Sequence, residues 1–240
     1  MDRSSLPPLR SLPRLFLPGA SPEAPIPLPK AEIDKFRKVL RLEQGSQIAV
    51  LPNDGTLIRC KFVAHEAIPI CVERPQTEPS KKVILAQALP KGDRLETVIR
   101  MGTEIGVHEF VLFPSERSVV RWDQAKISDR LRRYRSIAME SAEQSFRSIV
   151  PPVQFQESLD AVLAQYPEAS VLSESEDEGK VFAAHLQGSS ITIVIGPEGG
   201  WSPAELALIG HRGYSLGPLV LRTDTAGPVA AALALYSQTT

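Results

Sequence analysis

The last two-thirds of the chain alternates short apolar segments with segments of helical periodicity, and this alternation constrains the fold most. Val83–Leu89, Phe110–Phe113 and Ile191–Ile195 are apolar runs of strand length. Between them, Leu95–Ile105 and Ile127–Phe146 repeat apolar residues at helical spacing. Strands that alternate with helices are typical of a parallel sheet covered by helices on both faces. The sequence therefore predicts an α/β fold for this region.

Local signals predict where two of these helices begin and end. Asp93 is expected at an N-cap, with Glu96 completing a capping box, and Gly106 is expected to end that helix. The long helix that follows has to end before Pro151-Pro152, because proline cannot continue a helix.

Residues 1–75 follow a different pattern and predict a separate small module. Gln47–Leu51 and Leu57–Val63 are β-prone, and the Asn-Asp-Gly between them favours a hairpin because these residues tolerate positive φ. Pro69–Val72 suggests a further strand. We expect a small β-barrel or sheet here, with the α/β domain in residues 76–240.

Charge is unevenly distributed, although the formal net charge is only −1. Proteins that hold RNA by charge alone are usually basic overall. Residues 1–41 nevertheless carry eight basic and four acidic side chains, and residues 115–147 carry eight and five. Acidic residues gather instead at 174–178. Such segregation allows a nearly neutral protein to present a surface that attracts phosphate.

The remaining composition is typical of a cytoplasmic protein. No apolar run approaches the ~20 residues that span a membrane, and the proline-rich first 29 residues lack the apolar core of a signal peptide. Cys60 and Cys71 have no metal-ligand spacing and are too few for a disulfide framework. We therefore expect a protein of the reducing cytoplasm without a bound metal.

The most informative motif is a glycine-rich loop between a buried strand and a helix. Ile191–Ile195 leads into Gly196-Pro-Glu-Gly-Gly200, and Ser202 then predicts an N-cap, with Glu205 completing a capping box. Glycines let main chain approach a ligand closely, and α/β proteins bind ligands at the carboxyl ends of parallel strands. The motif is neither a Walker loop nor a dinucleotide fingerprint, so the motif alone leaves the ligand open.

A second motif begins at Ser215 and leads into the last helix. An apolar strand is expected to meet a corner at Gly217-Pro218, after which Arg222, Thr223 and Asp224 open a helix. Arg222 stands between an apolar run and a helix start, where it can serve a substrate. A surface ion pair is the alternative interpretation.

Together, Ile195–Ser202 and Leu216–Ala226 resemble the RsmE family, bacterial methyltransferases of the SPOUT class that modify N3 of a uridine in 16S ribosomal RNA. Other stretches resemble the same family in the same order: Arg37–Leu42, Lys91–Glu96, Thr103–Val107, Ser115–Val120 and Ala142–Arg147. The family pattern is departed from at Phe36, at Trp201, at the pair Gly227-Pro228 and at two positions near the expected cofactor site. Pro218 stands where a basic or polar residue is common, and Asp224 replaces the usual glutamate.

The resemblance implies an architecture that hydrophobic patterns do not reveal. It implies a PUA-like β-barrel RNA-binding domain in residues 1–75 and a SPOUT methyltransferase domain in residues 76–240. The C-terminal chain of such a domain forms a trefoil knot over the parallel sheet, although knots are essentially absent from proteins in general. The family acts as a homodimer on 16S ribosomal RNA, here expected in the small ribosomal subunit. S-adenosylmethionine is its cofactor, and the matching positions are Leu172, Ile195, Gly196, Gly199, Gly200, Leu216, Gly217 and Leu221.

Methylation at N3 requires loss of a proton, which suggests roles for three side chains. Either a base removes the proton or a cation stabilises the negative charge left on the ring. Arg222 is the candidate cation, and Glu198 and Asp224 are candidates for the base or for orienting the site.

Arginines are the natural candidates for RNA contacts, because guanidinium groups pair bidentately with phosphate. The predicted contacts are Arg10, Arg14, Arg41, Arg117 and Arg147. Arg147 has an alternative role, which is to brace the long helix.

Three other functions remain open on the sequence alone. The first alternative is a SPOUT-type methyltransferase that acts on another RNA target or atom. The second is a non-catalytic RNA-binding module, and the third is a metabolic enzyme that binds phosphate at Gly196–Gly200. The last lacks the lysine or metal ligands that such a site needs.

Overall fold

The computed structural model describes residues 7–173, 180–182, 186 and 188–237, and the chain divides into two compact units. The first comprises residues 1–78 and 142–150, and the second comprises residues 79–141 and 151–240. The sequence pattern places the division after residue 75 and gives no sign that residues 142–150 return to the first unit. The acidic cluster at 174–178 lies outside the described residues.

The first unit is built on a five-stranded sheet. Its strands lie in the order β1-β3-β4-β5-β2, with β1 parallel to β3 and all other neighbours antiparallel. A short helix α1 (Lys30–Asp34) continues into one π-helical turn (Lys35–Val39). The strands are β1 (Arg14–Phe16), β2 (Ile26–Pro27), β3 (Gln47–Leu51), β4 (Leu57–Val63) and β5 (Glu66–Glu73).

The hairpin between β3 and β4 has the conformation that its turn residues favour. Asn53 and Gly55 both adopt positive φ, at 70° and 87°. Both faces of these strands are buried: Val50 and Ile58 pack with Phe36 on one face, and Leu51 packs in a second cluster. This burial on two sides explains why the strands show little polar alternation.

Residues 142–150 are held in the first unit by packing and by a buried ion pair. Ala142 is fully buried in the cluster that contains Leu12 and Phe16. The Arg147 side chain donates to Glu78 Oε2 at 2.7 Å, and Glu78 Oε1 accepts the Ser148 amide at 2.9 Å. Arg147 is only 4% exposed, so Glu78 compensates a charge that has almost no access to water.

The second unit is an α/β fold with a seven-stranded parallel sheet, as the sequence predicted. The strands lie in the order β10-β12-β9-β11-β6-β7-β8, and every neighbouring pair is parallel. Its elements are β6 (Lys82–Ala88), α2 (Arg94–Ile105), β7 (Glu109–Phe113), α3 (Gln124–Gln144), β8 (Val153–Phe155), α4 (Leu159–Gln165), β9 (Ser170–Leu172), β10 (Lys180–Val181), β11 (Ser190–Ile195), α5 (Pro203–Ile209), β12 (Gly213–Ser215) and α6 (Thr223–Tyr236).

Helices cover both faces of this sheet. On one face, α6 packs against α2, β6 and β11, and Tyr236 at its end donates to the Ile105 carbonyl at 2.7 Å. A Cβ on Gly227 would lie 3.2 Å from Gln87 Oε1, so the absence of a side chain there allows α6 to lie close to β6. On the other face, Ala86 and Val111 pack with Val162 of α4.

Two local predictions differ from the structure. The Asp93 side chain makes no capping hydrogen bond, and Glu96 pairs with Arg133 instead of completing a capping box. β12 leads to the expected corner at Gly217-Pro218 but ends at Ser215, and the apolar residues between the corner and Arg222 form an exposed loop. Gly106 does end α2, with φ of 112°.

Two features are absent from residues 7–173, 180–182, 186 and 188–237. Within these residues, no helix is both long and apolar enough to cross a membrane. The same ranges contain no group of three or more side chains arranged to hold a metal ion.

The ion pair between Glu78 and Arg147 predicts an asymmetry between buried and exposed pairs. Glu78→Ala leaves a buried guanidinium uncompensated and should lower the free energy of unfolding by about 3 kcal/mol. Asp129→Ala removes the partner of exposed Arg132 and should change the free energy of unfolding by about 0.5 kcal/mol or less. Urea unfolding of both variants measures the difference. Equal losses would show that burial does not strengthen the pair.

Candidate active site

Three of the segments singled out in the sequence follow three neighbouring strands. β12, β9 and β11 lie side by side and are parallel, so their carboxyl ends meet at one edge of the sheet. Leu216 follows β12, Leu172 ends β9, and the glycine loop 196–200 follows β11. The carboxyl edge of a parallel sheet is where α/β proteins bind ligands, and the segments predicted to hold a cofactor converge there.

The glycine loop needs its glycines for close packing on both sides. A Cβ on Gly196 would lie 3.0 Å from the Trp201 indole, and one on Gly199 would lie 3.3 Å from Arg117 Cβ. Gly200 has φ of 67°, a conformation that side chains disfavour. The loop is therefore held closely against its neighbours on both sides.

Trp201 attaches this loop to the next strand. Its indole Nε1 donates to the Leu172 carbonyl at 2.9 Å, and the ring is stacked nearly parallel to Phe113. The bond satisfies a buried donor and fixes the end of β9 relative to the loop. Leu172 and Ile195 are both buried at this edge.

The buried carboxylate of Glu205 joins the loop to a second segment. Ser202 and Glu205 form the predicted capping box at the start of α5. Glu205 also accepts from Ser115 Oγ at 2.7 Å and from the Glu116 amide at 2.9 Å. Arg117, the next residue, donates to the Gly199 carbonyl at 3.1 Å. One carboxylate therefore orders both the glycine loop and the arginine beside it.

The start of α6 is tied to the same loop by two hydrogen bonds that the sequence did not predict, one of which involves a residue, Gln87, not singled out before. Thr223 Oγ1 donates to the Gly196 carbonyl at 2.9 Å and accepts from Gln87 Nε2 at 2.9 Å. Gln87 is fully buried in β6. A single amide in an otherwise apolar strand was the signal available in the sequence, because a buried polar group requires partners.

The three predicted catalytic residues have different surroundings. Arg222 is exposed at the N-cap of α6. Asp224 follows in the first turn, and its Oδ1 is buried with no hydrogen-bond partner among the described residues. Glu198 is already engaged, because it accepts from Lys91 N at 3.0 Å and from Arg94 at 2.9 Å.

The loop between β12 and α6 combines the remaining predicted cofactor positions with an apolar surface. Leu216 and Leu221 are half-buried, and Gly217 is exposed with φ of 141°. Leu219 and Val220 between them are 77% and 72% exposed. The loop therefore presents two neighbouring apolar side chains to solvent.

The arginines predicted to contact RNA fall into three situations. Arg10, Arg41 and Arg117 are exposed. Arg14 is half-buried over the Phe146 ring at 4.1 Å, and burial lowers the pKa of its guanidinium. Arg147 is the exception: its guanidinium is buried on Glu78, so here it braces the end of the long helix and does not face solvent.

Comparison with known proteins gives consistent relatives. Residues 77–235 match the family model described as an RNA methyltransferase domain. Ribosomal RNA small subunit methyltransferase E of Bacillus subtilis is 36% identical over 226 residues, covering 87% of this chain and 88% of that protein. The corresponding enzyme of Neisseria gonorrhoeae, solved with S-adenosyl methionine bound, has a TM-score of 0.81 at 26% identity, covering 92% of this chain and 95% of that one. A Legionella pneumophila protein solved with the same cofactor has a TM-score of 0.85 at 27% identity, covering 93% and 96%.

The position of Glu205 predicts a cost for removing its charge alone. Glu205→Gln replaces one acceptor oxygen with a donor, which must face an N–H or O–H donor in this buried site. We expect the free energy of unfolding to fall by about 2 kcal/mol. Glu168→Gln at an exposed position is the matched control and should have no measurable effect. Thermal unfolding distinguishes the two, and an unchanged melting temperature for Glu205→Gln would refute the network.

Proposed function

The chain belongs to the ribosomal RNA small subunit methyltransferase E family, and from this we propose that it methylates N3 of a uridine in 16S ribosomal RNA. S-adenosylmethionine is the methyl donor, as two solved relatives with this cofactor bound suggest. The observation that carries the proposal is the convergence of Leu172, the glycine loop and Leu216 at adjacent strand ends.

The residues at this edge suit such a cofactor. We place the adenosine and the amino-acid moiety of the cofactor against the loop that contains Gly196, Gly199 and Gly200, which neighbouring side chains hold in position. Leu172, Ile195, Leu216, Gly217 and Leu221 supply the apolar surroundings that an adenine ring requires. When bound, S-adenosylmethionine supplies an electrophilic methyl group on a sulfonium sulfur. The protein has to orient the uridine towards it, and positioning alone contributes several kcal/mol to such reactions.

Asp224 and Arg222 divide the remaining work in this proposal. We assign the N3 proton to Asp224 in preference to Glu198, since one Asp224 oxygen has no hydrogen-bond partner among the described residues. Glu198 is occupied by Lys91 and Arg94, and we assign it to orienting the loop. Arg222 stabilises the negative charge that spreads onto the uridine carbonyl oxygens as the proton leaves.

RNA binding in this proposal relies on phosphate contacts. Arg10, Arg41 and Arg117 are exposed and suited to such contacts, and half-buried Arg14, which lies over the Phe146 ring, contributes a further one. The target base is stacked in RNA and has to swing out to reach the methyl group. We assign Arg147 to bracing the protein, as its burial on Glu78 supports.

Four finer features of the family complete the proposal. The first unit acts as a PUA-like β-barrel that binds RNA, and the chain between β11 and α6 forms a trefoil knot. The protein acts in the cytoplasm on the small ribosomal subunit. It works as a homodimer, in which a second copy covers the exposed Leu219 and Val220.

Mass spectrometry of 16S ribosomal RNA tests the proposed function. RNA from a strain lacking this protein should lose one N3-methyluridine, and the purified protein with S-adenosylmethionine should restore it. An unchanged RNA would refute the assignment. Absence of S-adenosylmethionine binding by calorimetry would favour a non-catalytic RNA-binding module instead.

Arg222→Ala should separate catalysis from cofactor binding. We expect turnover to fall about 100-fold, as for loss of a group that stabilises a developing anion. The dissociation constant for S-adenosylmethionine should stay within about threefold, because the proposal gives Arg222 no contact with the cofactor. Arg100→Ala, an exposed arginine on α2, is the control and should leave both unchanged. Equal losses of turnover and affinity would indicate a structural role.

A further inference from the structure

A cavity of about 250 Å³ lies in the second unit at the carboxyl end of β6. The loop between β6 and α2 lines it with Pro90, Gly92 and Asp93. Trp122, before α3, and Arg130 and Tyr134 of α3 line it as well. None of the lining residues belongs to the three segments assigned to the cofactor. The cavity is therefore a separate feature of the same sheet edge.

The cavity adjoins the proposed active site through one loop. Lys91 lies between two of the lining residues, and its amide donates to Glu198 of the glycine loop at 3.0 Å. Arg94, one residue beyond Asp93, makes an ion pair with the same carboxylate. A molecule in the cavity would contact one side of the β6–α2 loop. Glu198 of the glycine loop contacts the same β6–α2 loop at Lys91.

The aromatic side of the cavity is rigid. The Trp122 ring is stacked on Tyr134 with centroids 5.7 Å apart and planes at 11°, and on Phe155 with centroids 5.5 Å apart. Trp122 is half-buried, whereas Tyr134 is buried. Burial raises the pKa of the Tyr134 hydroxyl. Trp122 and Tyr134 thereby form an aromatic wall of the cavity.

The polar groups of the cavity complement a nucleotide. Asp93 is exposed and is not used for capping α2, so its carboxylate is available to accept from the N–H groups of a base. Arg130 is an exposed cation at the cavity, and Arg117 and Arg121 are exposed on the loop that leads to Trp122. Cations around an aromatic pocket favour single-stranded nucleic acid over an uncharged metabolite.

We propose that this cavity binds the base of a nucleotide next to the target uridine, holding the RNA while the target base is swung out. This inference rests on the proposed function, because it names a further contact with the same RNA. A neighbouring nucleotide is favoured over the target itself, since no cofactor segment lines the cavity. The site contributes to RNA affinity and not to the methyl transfer step.

Binding and kinetics of two cavity variants and one control test the proposal. Arg130→Ala and Trp122→Leu should each raise the dissociation constant and KM for 16S ribosomal RNA about tenfold, within the range expected for one stacked base. Turnover at saturating RNA should change less than threefold, and S-adenosylmethionine affinity should not change. Arg132→Ala is the matched control, because Arg132 is exposed on the same helix but does not line the cavity.

Tryptophan fluorescence provides a second readout. Trp122 and Trp201 are the two tryptophans of the chain, and Trp201 is buried in the core. In the wild-type protein, RNA binding should quench the fluorescence of Trp122 and leave that of Trp201 unchanged. In Trp122→Leu, which retains only Trp201, RNA binding should therefore cause no quenching. Arg130 is exposed, so its variant should fold even if Trp122→Leu does not.

Several outcomes would overturn the proposal. Wild-type RNA affinity in Arg130→Ala would do so, as would an equal loss in Arg132→Ala, which would indicate general charge attraction. A loss of turnover without loss of RNA affinity would assign the cavity to the target base. Failure of the proposed function is distinct: the wild-type protein would then bind RNA without methylating it, and the cavity variants would still be tested by binding alone.

Discussion

The parallel pairing of β12, β9 and β11 is the constraint on which the rest of the site depends. Three parallel neighbours deliver their carboxyl ends to one edge, although the segments that follow them are separated by many residues in sequence. Side chains then fix these ends at short range. Trp201 binds the Leu172 carbonyl, Thr223 binds the Gly196 carbonyl, and Glu205 binds the loop that carries Arg117. Each is a hydrogen bond to a buried or half-buried main-chain group, and such groups are costly to leave unpaired.

The sequence predicted those parts of the fold that local physics decides. Strands such as β4 and β11 are apolar enough to be found alone, and Ser202 with Glu205 forms the cap that its spacing indicates. Asp93 has the same spacing to Glu96, but its side chain makes no cap and Glu96 pairs with Arg133 on another helix. The short strands β1, β2 and β8 have two or three residues each, too few for a periodicity. The order of strands in a sheet depends on contacts between distant residues, which no local window contains.

The candidate site followed a similar division. Glycines in the loop after β11 and the polar start of α6 were visible because their residue types are unusual after an apolar strand. Three other contacts could not be predicted from the sequence: Glu205 with Ser115, Gln87 with Thr223, and Arg147 with Glu78. Each joins residues that are about 70 or more positions apart. An arginine in sequence looks the same whether it meets phosphate or a buried glutamate. Only burial and the partner separate the two.

The return of residues 142–150 to the first unit has a consequence for synthesis. Because Glu78 pairs with Arg147, the first unit cannot complete its buried charge pair until the ribosome has made more than half of the chain. During that interval β6, β7 and the helices α2 and α3 emerge while their remaining partner strands are still missing. Cleavage of the chain at one position cannot separate the two units. A fragment ending at residue 78 would lack residues 142–150, which belong to the first unit.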